Sequence, residues 1–369
     1  MNYKIIKAFS VCILFLVSLF ANMEQIDGQH NITQDSILSC TNFAASINKT
    51  TFFGNSEDGG LNHPLGGDPL SSHMFYYPAN TEGYGCAFVG WLVDGYIKSI
   101  QGGMNDQGLC YDLTGIPDAP LNSHLNQTYS VDGTWILFDI LRQNANVSEV
   151  IEFLKKVDFE GHVWFQWFFA DVSGDMVIVS PNPAGELAFT RKEAGEDGFL
   201  TQTNFNRVTN DSEPGGFPCW RFDISTEMLG EINNEENLTF EAMDSVLEAV
   251  HFNKQGSFTG YSNAFDPKNQ LLHLTFLAQF DDTVVINVTE ELAISGETIV
   301  PMTDYFSQET IDNGLSYYKA FKARVIIVYL VLPITGIVIL IISIILTIRY
   351  TIKKRRKKQK LKIFRRIQF

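Results

Sequence analysis

Cysteine is scarce in this chain of 369 residues: there are five, and no two stand in a Cys-x-x-Cys pair. So few exclude a disulfide-dense scaffold. The seven histidines never fall in a His-Glu-x-x-His spacing, and no sequence pattern for a metal or other cofactor is present. A Gly-x-Ser-x-Gly elbow, a glycine-rich phosphate loop, internal repeats and low-complexity linkers are also missing. Basic residues are few over most of the chain. Residues 349–369 hold 11 of the 27 Lys and Arg and no Asp or Glu, leaving 16 basic against 42 acidic residues elsewhere, a balance of −26. Nucleic-acid binding depends on neutralising phosphates with basic side chains, so this composition argues against nucleic acid as a partner.

What the chain does have is an apolar run near each end. Lys4 and Lys7 precede the run from Ala8 to Phe20, which is followed by the small residue Ala21. At 13 residues it is too short to span a bilayer and reads as part of a signal peptide over 1–21. Val325 to Ile348 is an uncharged run of 24 residues, long enough for a transmembrane helix, and Pro333 and Gly336 within it are tolerable in a spanning segment. The basic tail 349–369 then belongs on the cytoplasmic side, as a topology determinant or through attraction to anionic lipid. The expected organisation is a signal peptide, a propeptide or linker over 22–39, one folded domain over 40–305, a juxtamembrane stalk over 306–324, the transmembrane helix 325–348 and the tail. That places the folded domain outside the cytoplasm or in a lumen, on a single-pass protein of the cell membrane. Seven Asn-x-Ser/Thr sequons, starting at Asn31, Asn48, Asn126, Asn146, Asn210, Asn237 and Asn287, are possible glycan sites in such a protein. Cys12 lies in the signal; if Cys40 stays a thiol, Cys86, Cys110 and Cys219 allow at most one disulfide.

The folded domain is long enough for a substantial single core. Its pattern reads as two strands around a turn at Asn48-Lys49, a strand from Trp91 to Ile100 and another from Leu109 to Leu113. Helical periodicity follows over Thr134 to Gln143 and Ser148 to Lys156. Strands at His162 to Ala170 and Asp175 to Ser180, helices at Arg221 to Glu231 and Phe240 to His251, and strands at Gly260 to Ala264, Gln270 to Phe276 and Thr283 to Val288 complete it. Runs of strands alternating with runs of helices predict an α+β fold with sheets packed between helical layers.

Cys40 heads the first strand pattern, some 18 residues beyond the signal. A thiol attacks as the thiolate and needs a nearby base. Cleavage of the Ser39-Cys40 bond would supply one, because an N-terminal amine with a pKa of about 7.7 to 8.0 is suited to proton transfer near neutrality. The bland alternative is a buried, inert cysteine.

Five separated motifs carry a resemblance: Cys40-Thr41, Phe53-Gly54-Asn55-Ser56-Glu57-Asp58, Gln101-Gly102-Gly103-Met104-Asn105-Asp106-Gln107-Gly108-Leu109, Thr203-Asn204-Phe205-Asn206 and Pro218-Cys219-Trp220-Arg221-Phe222. In these, over nearly all of Cys40 to Asp304, the chain resembles the N-terminal-nucleophile (Ntn) amidases of the choloylglycine hydrolase type, which include penicillin V acylase and the acid ceramidases, and within them the linear amide hydrolases. The resemblance implies a four-layer αββα sandwich of antiparallel sheets, a nucleophile at the start of a central strand and hydrolysis of a non-peptide amide without a cofactor.

It also implies roles for residues. Asp58 matches the carboxylate that holds the nucleophile's amine, given one residue missing near Asn48; under another gap Glu57 takes that place. Asn204 matches the side-chain donor to the oxyanion, and Thr114 stands near where relatives often have a second such donor. Arg221 matches an arginine beside the nucleophile. Asn55 departs from the pattern, since many relatives carry an arginine there, and the positive charge near the thiol then has to come from elsewhere. Trp164, Trp167 and Trp220 either line an acyl pocket or belong to the core, and His162, opening an apolar strand, is expected to be a core histidine. The expected activity is cleavage of a small or lipid acyl amide through a thioester on Cys40; the alternatives are acyl transfer, or an inactive amidase-like ectodomain that binds rather than cleaves.

Overall fold

The computed structural model describes residues 40–60, 68–122, 129–130, 135–159, 161–212, 218–254, 257–294 and 296–367. The expected signal peptide, the 22–39 segment, Cys12 and the sequons at Asn31 and Asn126 lie outside them. The described residues up to Ala320 form one compact unit, and those from Phe321 belong to a second.

Strand β1 (Thr41–Ile47) turns through Asn48 and Lys49 into β2 (Thr50–Gly60). Strands β3 (Ser72–Tyr77), β4 (Cys86–Val93), β5 (Ile97–Asn105) and β6 (Cys110–Pro120) follow. The span Trp91 to Ile100, expected as one strand, is in fact the tip of the β4–β5 hairpin. Asp94 and Gly95 take φ values of 53° and 77°, the pair of positive angles that a two-residue type I′ turn requires. Helices α1 (Trp135–Gln143) and α2 (Val147–Leu154) precede strands β7 (His162–Ala170), β8 (Met176–Pro181), β9 (Leu187–Lys192) and β10 (Gly198–Gln202). Helices α3 (Trp220–Glu231) and α4 (Phe240–Val250) lead into β11 (Ser257–Asp266), β12 (Leu271–Phe276) and β13 (Val284–Asn287). A short helix α5 (Val288–Leu292), strand β14 (Thr298–Pro301) and helix α6 (Gln308–Ile326) complete this part, so the segment expected as a stalk is largely helical.

Among the described residues the strands form two large antiparallel sheets and one small parallel pair, Tyr129–Ser130 with Val157–Asp158. A seven-stranded sheet runs β10-β1-β2-β11-β12-β13, with Asn253–Lys254 also paired to β11, and an eight-stranded sheet runs β9-β8-β7-β6-β5-β4-β3-β14. Side chains alternate across each strand, so each sheet has two apolar faces to cover. Phe43, Ala45, Ile47 and Phe52 pack against Leu229, Met243, Val246 and Leu247 of α3 and α4. Leu113, Trp167, Phe169 and Val179 pack against Ile136, Ile140, Val150 and Leu154 of α1 and α2. The remaining faces meet each other: Phe53 reaches Phe168 at 5.2 Å and Trp91 reaches Tyr261 at 5.7 Å between ring centroids. The fold is the αββα sandwich that the resemblance implies.

Gly54 shows how tightly the helix side of β1 and β2 is packed. It pairs with Phe43, whose fully buried ring lies where a β-carbon would be, with Cζ 2.5 Å from that position. Gly54→Ala therefore forces an aromatic ring out of a filled layer, and a loss of about 1–3 kcal/mol is expected. A urea unfolding midpoint unchanged from wild type would contradict this packing.

The second unit is helical. A π-helical turn at Ile327–Val331 leads without a break into α7 (Leu332–Ile367), and Pro333, which has no N–H to give to the ladder, stands directly after that turn. The stretch Ile334–Gln359 contains an 18-residue window with a mean hydropathy of 2.2 and is long and apolar enough to cross a membrane. Its apolar part ends at Ile348, because Arg349 and the run Lys353 to Lys358 are basic apart from the intervening residues 350–352. Ile337, Leu340, Ile344 and Leu346 on it are exposed.

Candidate active site

Cys40 sits at the mouth of the β1–β2 ladder, fully buried. The two-residue turn sets the register Ile47↔Thr50 through Thr41↔Ser56, and the next step places Cys40 opposite Glu57. The Cys40 thiol donates to Glu57 Oε1 at 3.3 Å. The other side of β1 pairs with β10 up to Asn42↔Gln202, and two residues further along lies Asn204. Cys40 is thus set between Glu57 on one neighbouring strand and the residue that follows the other.

The face of β1 and β2 turned toward the second sheet changes character along its length. Ala44, Phe53 and Phe265 form an apolar row; Asn42, Asn55 and Asn263 form the next; Cys40, Glu57 and Tyr261 the last. All nine are buried. Asn55 Nδ2 donates to Asn42 Oδ1 at 2.7 Å and to Glu57 Oε2 at 3.4 Å. Asp112 of β6, also fully buried, faces this group from the second sheet, and its Oδ2 occupies the space that a side chain at Gly102 would fill. Among the described residues, Asn55 Oδ1, both amide atoms of Asn263, Asp112 Oδ2 and the Tyr261 hydroxyl have no hydrogen-bond partner. Each such group costs on the order of 1–3 kcal/mol when left unpaired, a density expected of a functional site more than of a core.

Asp58 points to the opposite face, toward α3. A β-bulge between Thr259 and Tyr261 shifts the register beside it, and the Thr259 hydroxyl donates to Asp58 Oδ1. Arg221, in the first turn of α3, donates through Nη1 to Asp58 Oδ2 at 3.2 Å and Thr41 Oγ1 at 3.0 Å, and through Nη2 to Asn204 Oδ1 at 2.9 Å. A cation in the first turn works against the helix dipole, so these acceptors are what hold it there. Asn204 Nδ2 in turn donates to the Gly115 carbonyl at 3.1 Å. The Thr114 hydroxyl donates to the Thr203 carbonyl at 3.1 Å, and Gln166 Nε2 donates to the carbonyls of Thr203 and Phe205 at 2.9 and 2.7 Å. Gln166 therefore braces the backbone on either side of Asn204, and Thr114 adds a bond on the Thr203 side.

Burial, before neighbouring charges, sets the protonation of this cluster. Burial, reinforced by Glu57, Asp58 and Asp112, pushes the Cys40 thiol well above its ordinary value, while the Asp58 backbone amide works the other way. Burial raises Glu57 to about 8, with the hydrogen bonds from Cys40 and Asn55 opposing the rise and Asp58 adding to it. Burial also raises Asp58 to about 7 against the lowering effect of Arg221 and its hydrogen bonds. Asp112 is raised well above the carboxylate range by burial and by Glu57.

Of the residues singled out in the sequence, Cys40, Asp58, Asn204 and Arg221 come together, and Thr114 lies one hydrogen bond behind Asn204. Glu57, weighed there only as a stand-in for Asp58, is the group that touches the sulfur. Asn42, Asn263 and Asp112 were not anticipated. Trp167 is core, while Trp164 and Trp220 are partly exposed. His162, expected in the core, is exposed and pairs with Asp118 at 2.8 Å, because the first residues of β7 alternate between exposed and buried. Cys86, Cys110 and Cys219 are free thiols. A pocket of about 270 Å³ lined by Leu121, Leu154, Phe159, Leu187 and Phe189 lies on the helix side of the eight-stranded sheet, away from Cys40.

No protein-family model and no curated protein sequence matches the chain. Among solved structures, two variants of conjugated bile acid hydrolase from Clostridium perfringens are similar to it. One has a TM-score of 0.54 and 15% identity over 73% of this chain and 98% of the other. The second has a TM-score of 0.52 and 13% identity over 70% and 96%. Penicillin V acylase from Agrobacterium tumefaciens follows at a TM-score of 0.48 and 15% identity over 70% and 90%. At such identities the likeness to the bile acid hydrolase is one of fold, and it extends over nearly the whole of that enzyme.

Proposed function

We propose that the chain is a cysteine-nucleophile amidohydrolase that cleaves a linear, non-peptide amide through a thioester on Cys40, after its own Ser39-Cys40 bond has been cut. The observation that carries this reading is the convergence of Asn204, Arg221 and Asp58 on the first residues of a central strand that Cys40 opens. The fold shared with conjugated bile acid hydrolase supports it.

In this reading the Cys40 sulfur attacks the amide carbonyl carbon while the α-amine takes its proton. Asn204 Nδ2 donates to the oxygen as it becomes an oxyanion, an effect of about 10² to 10³ in rate for such donors. The ammonium returns the proton to the leaving nitrogen, and water then releases the acid from the thioester. Arg221 fixes Asn204 and Asp58 at once. Trp164, exposed on the strand face that also carries Gln166, offers an apolar surface for the acyl group.

The substrate is then a small or lipid acyl amide, and tethering through the Ile334–Ile348 region brings the site to amides that partition into membranes. The folded unit is extracytoplasmic and the basic tail cytoplasmic, with no nucleic-acid partner, in keeping with the charge distribution. A second reading, an amidase-shaped binding module, is favoured by one observation: the thiol is fully buried, and that burial, reinforced by the nearby Glu57, Asp58 and Asp112, keeps it protonated. Release of carboxylic acid from a panel of acyl amides by the full chain in detergent micelles separates the two; no release from any of them by a chain cut before Cys40 would leave the binding module.

A further inference from the structure

We propose that Glu57 is the base that activates Cys40 while residue 40 is still joined to Ser39. This rests on Cys40 being the nucleophile, and it assigns Glu57 a step that the α-amine cannot perform, since that nitrogen is still part of a peptide bond.

The geometry makes Glu57 the partner of the sulfur. It lies directly across the ladder from Cys40, is fully buried and accepts the thiol proton at 3.3 Å. Its second oxygen is fixed by Asn55 Nδ2, which is itself anchored on Asn42, so the carboxyl keeps its aim. Of the other two carboxyl groups nearby, Asp58 is taken up by Arg221 and Thr259 on the opposite face, and Asp112 Oδ1 accepts from the Leu113 amide of its own strand.

The step balances without an outside reagent except water. The thiol proton passes to the Glu57 carboxylate, and the thiolate adds to the Ser39 carbonyl carbon. As the carbon–nitrogen bond breaks, the protonated Glu57 returns the proton to the Cys40 nitrogen. Ser39 is then held as a thioester on the sulfur, and water hydrolyses it to a carboxylate, a free thiol and a free amine. From then on the amine serves the external substrate.

The titratable groups around Glu57 are Cys40 on β1, Asp58 on its own strand, Asp112 and Tyr111 on β6 and Tyr261 on β11, with Arg221 of α3 reaching it only through Asp58. Burial leaves Glu57 protonated below about pH 8, and only its deprotonated form can accept the proton. Cleavage is therefore slow at acidic pH and rises as the pH passes through about 8.

The test follows the fraction of full-length chain beginning at Cys40 by mass spectrometry, over time, from pH 5 to 10. Wild type is expected to cut with a midpoint near pH 8. Glu57→Gln, which keeps the shape but accepts no proton, is expected to cut about 10²-fold or more slowly with the pH dependence gone. Glu57→Asp, whose carboxylate is drawn back by one methylene, is expected to be intermediate with a displaced midpoint. A wild-type profile flat across this range, a wild-type chain that is never cut, or Glu57→Gln cutting at the wild-type rate would each overturn the assignment. A flat profile or a wild-type rate in Glu57→Gln overturns this assignment alone and leaves the amidase reading to whether Cys40→Ala still hydrolyses amides, whereas a chain that is never cut sinks both, because that reading needs the free amine.

Discussion

Cys40→Ala is expected to remove amide hydrolysis by on the order of 10⁶-fold, the scale on which losing a covalent nucleophile has been felt in a serine protease, while leaving the chain folded. The thiol is buried and donates a hydrogen bond to a carboxyl that keeps its contact with Asn55. Its removal leaves a gap of one sulfur atom beside a polar cluster, and the cost in stability is expected to be about 1 kcal/mol. The two effects are separable: hydrolysis of a responsive acyl amide reads the first, and a urea melt reads the second. A variant within tenfold of wild type would show that the nucleophile lies elsewhere.

Arg221→Met is expected to lower both stability and turnover. The guanidinium is 4% exposed and joins Thr41, Asp58 and Asn204, three groups contributed by separate parts of the chain. Without it Asp58 is a buried carboxylate with no cation, and breaking a buried pair in this way costs about 3–5 kcal/mol. Arg221 lowers the Asp58 pKa, so its loss moves that group further up from about 7 and keeps it protonated at neutral pH. The penalty is accordingly smaller near pH 5, where Asp58 is uncharged either way, and larger near pH 9. Release of Asn204 Oδ1 is expected to cost a further 10² to 10³ or so in turnover by loosening the oxyanion donor. Lysine at this position offers no planar fork and should recover only part of the loss. Unfolding midpoints within 1 kcal/mol of wild type at pH 9 would refute the bridge.

Much of this arrangement is legible in the residues. The turn at Asn48-Lys49 fixes the register of the first hairpin, and seven steps back on one arm and seven forward on the other bring Cys40 opposite Glu57. That contact was available by counting; matching motifs instead directs attention to Asp58, which sits beside Glu57 but on the other face. The apolar spacing of α2 and α4 and the hairpin of β7 and β8 are equally visible, since each has one face buried against a sheet. The β4–β5 turn is legible as well, because Asp94-Gly95 between apolar residues signals a two-residue hairpin turn, and reading Trp91 to Ile100 as one strand passes over it. Asn42, Asn263 and Asp112 escape because nothing local marks a strand's polar residue as facing a second sheet rather than water. That assignment comes from strand order, with β2 next to β11 across nearly 200 residues of sequence.

The most direct measurement is the mass of the chain itself during turnover. Full-length protein that begins at Cys40 is mixed with an acyl amide, quenched in acid within the first turnover and digested. The account predicts an acyl group on the peptide starting at Cys40, removed by neutral hydroxylamine as a thioester must be and absent from Cys40→Ala. Release of product with Cys40 unmodified throughout, or with the acyl group on another residue, would contradict it.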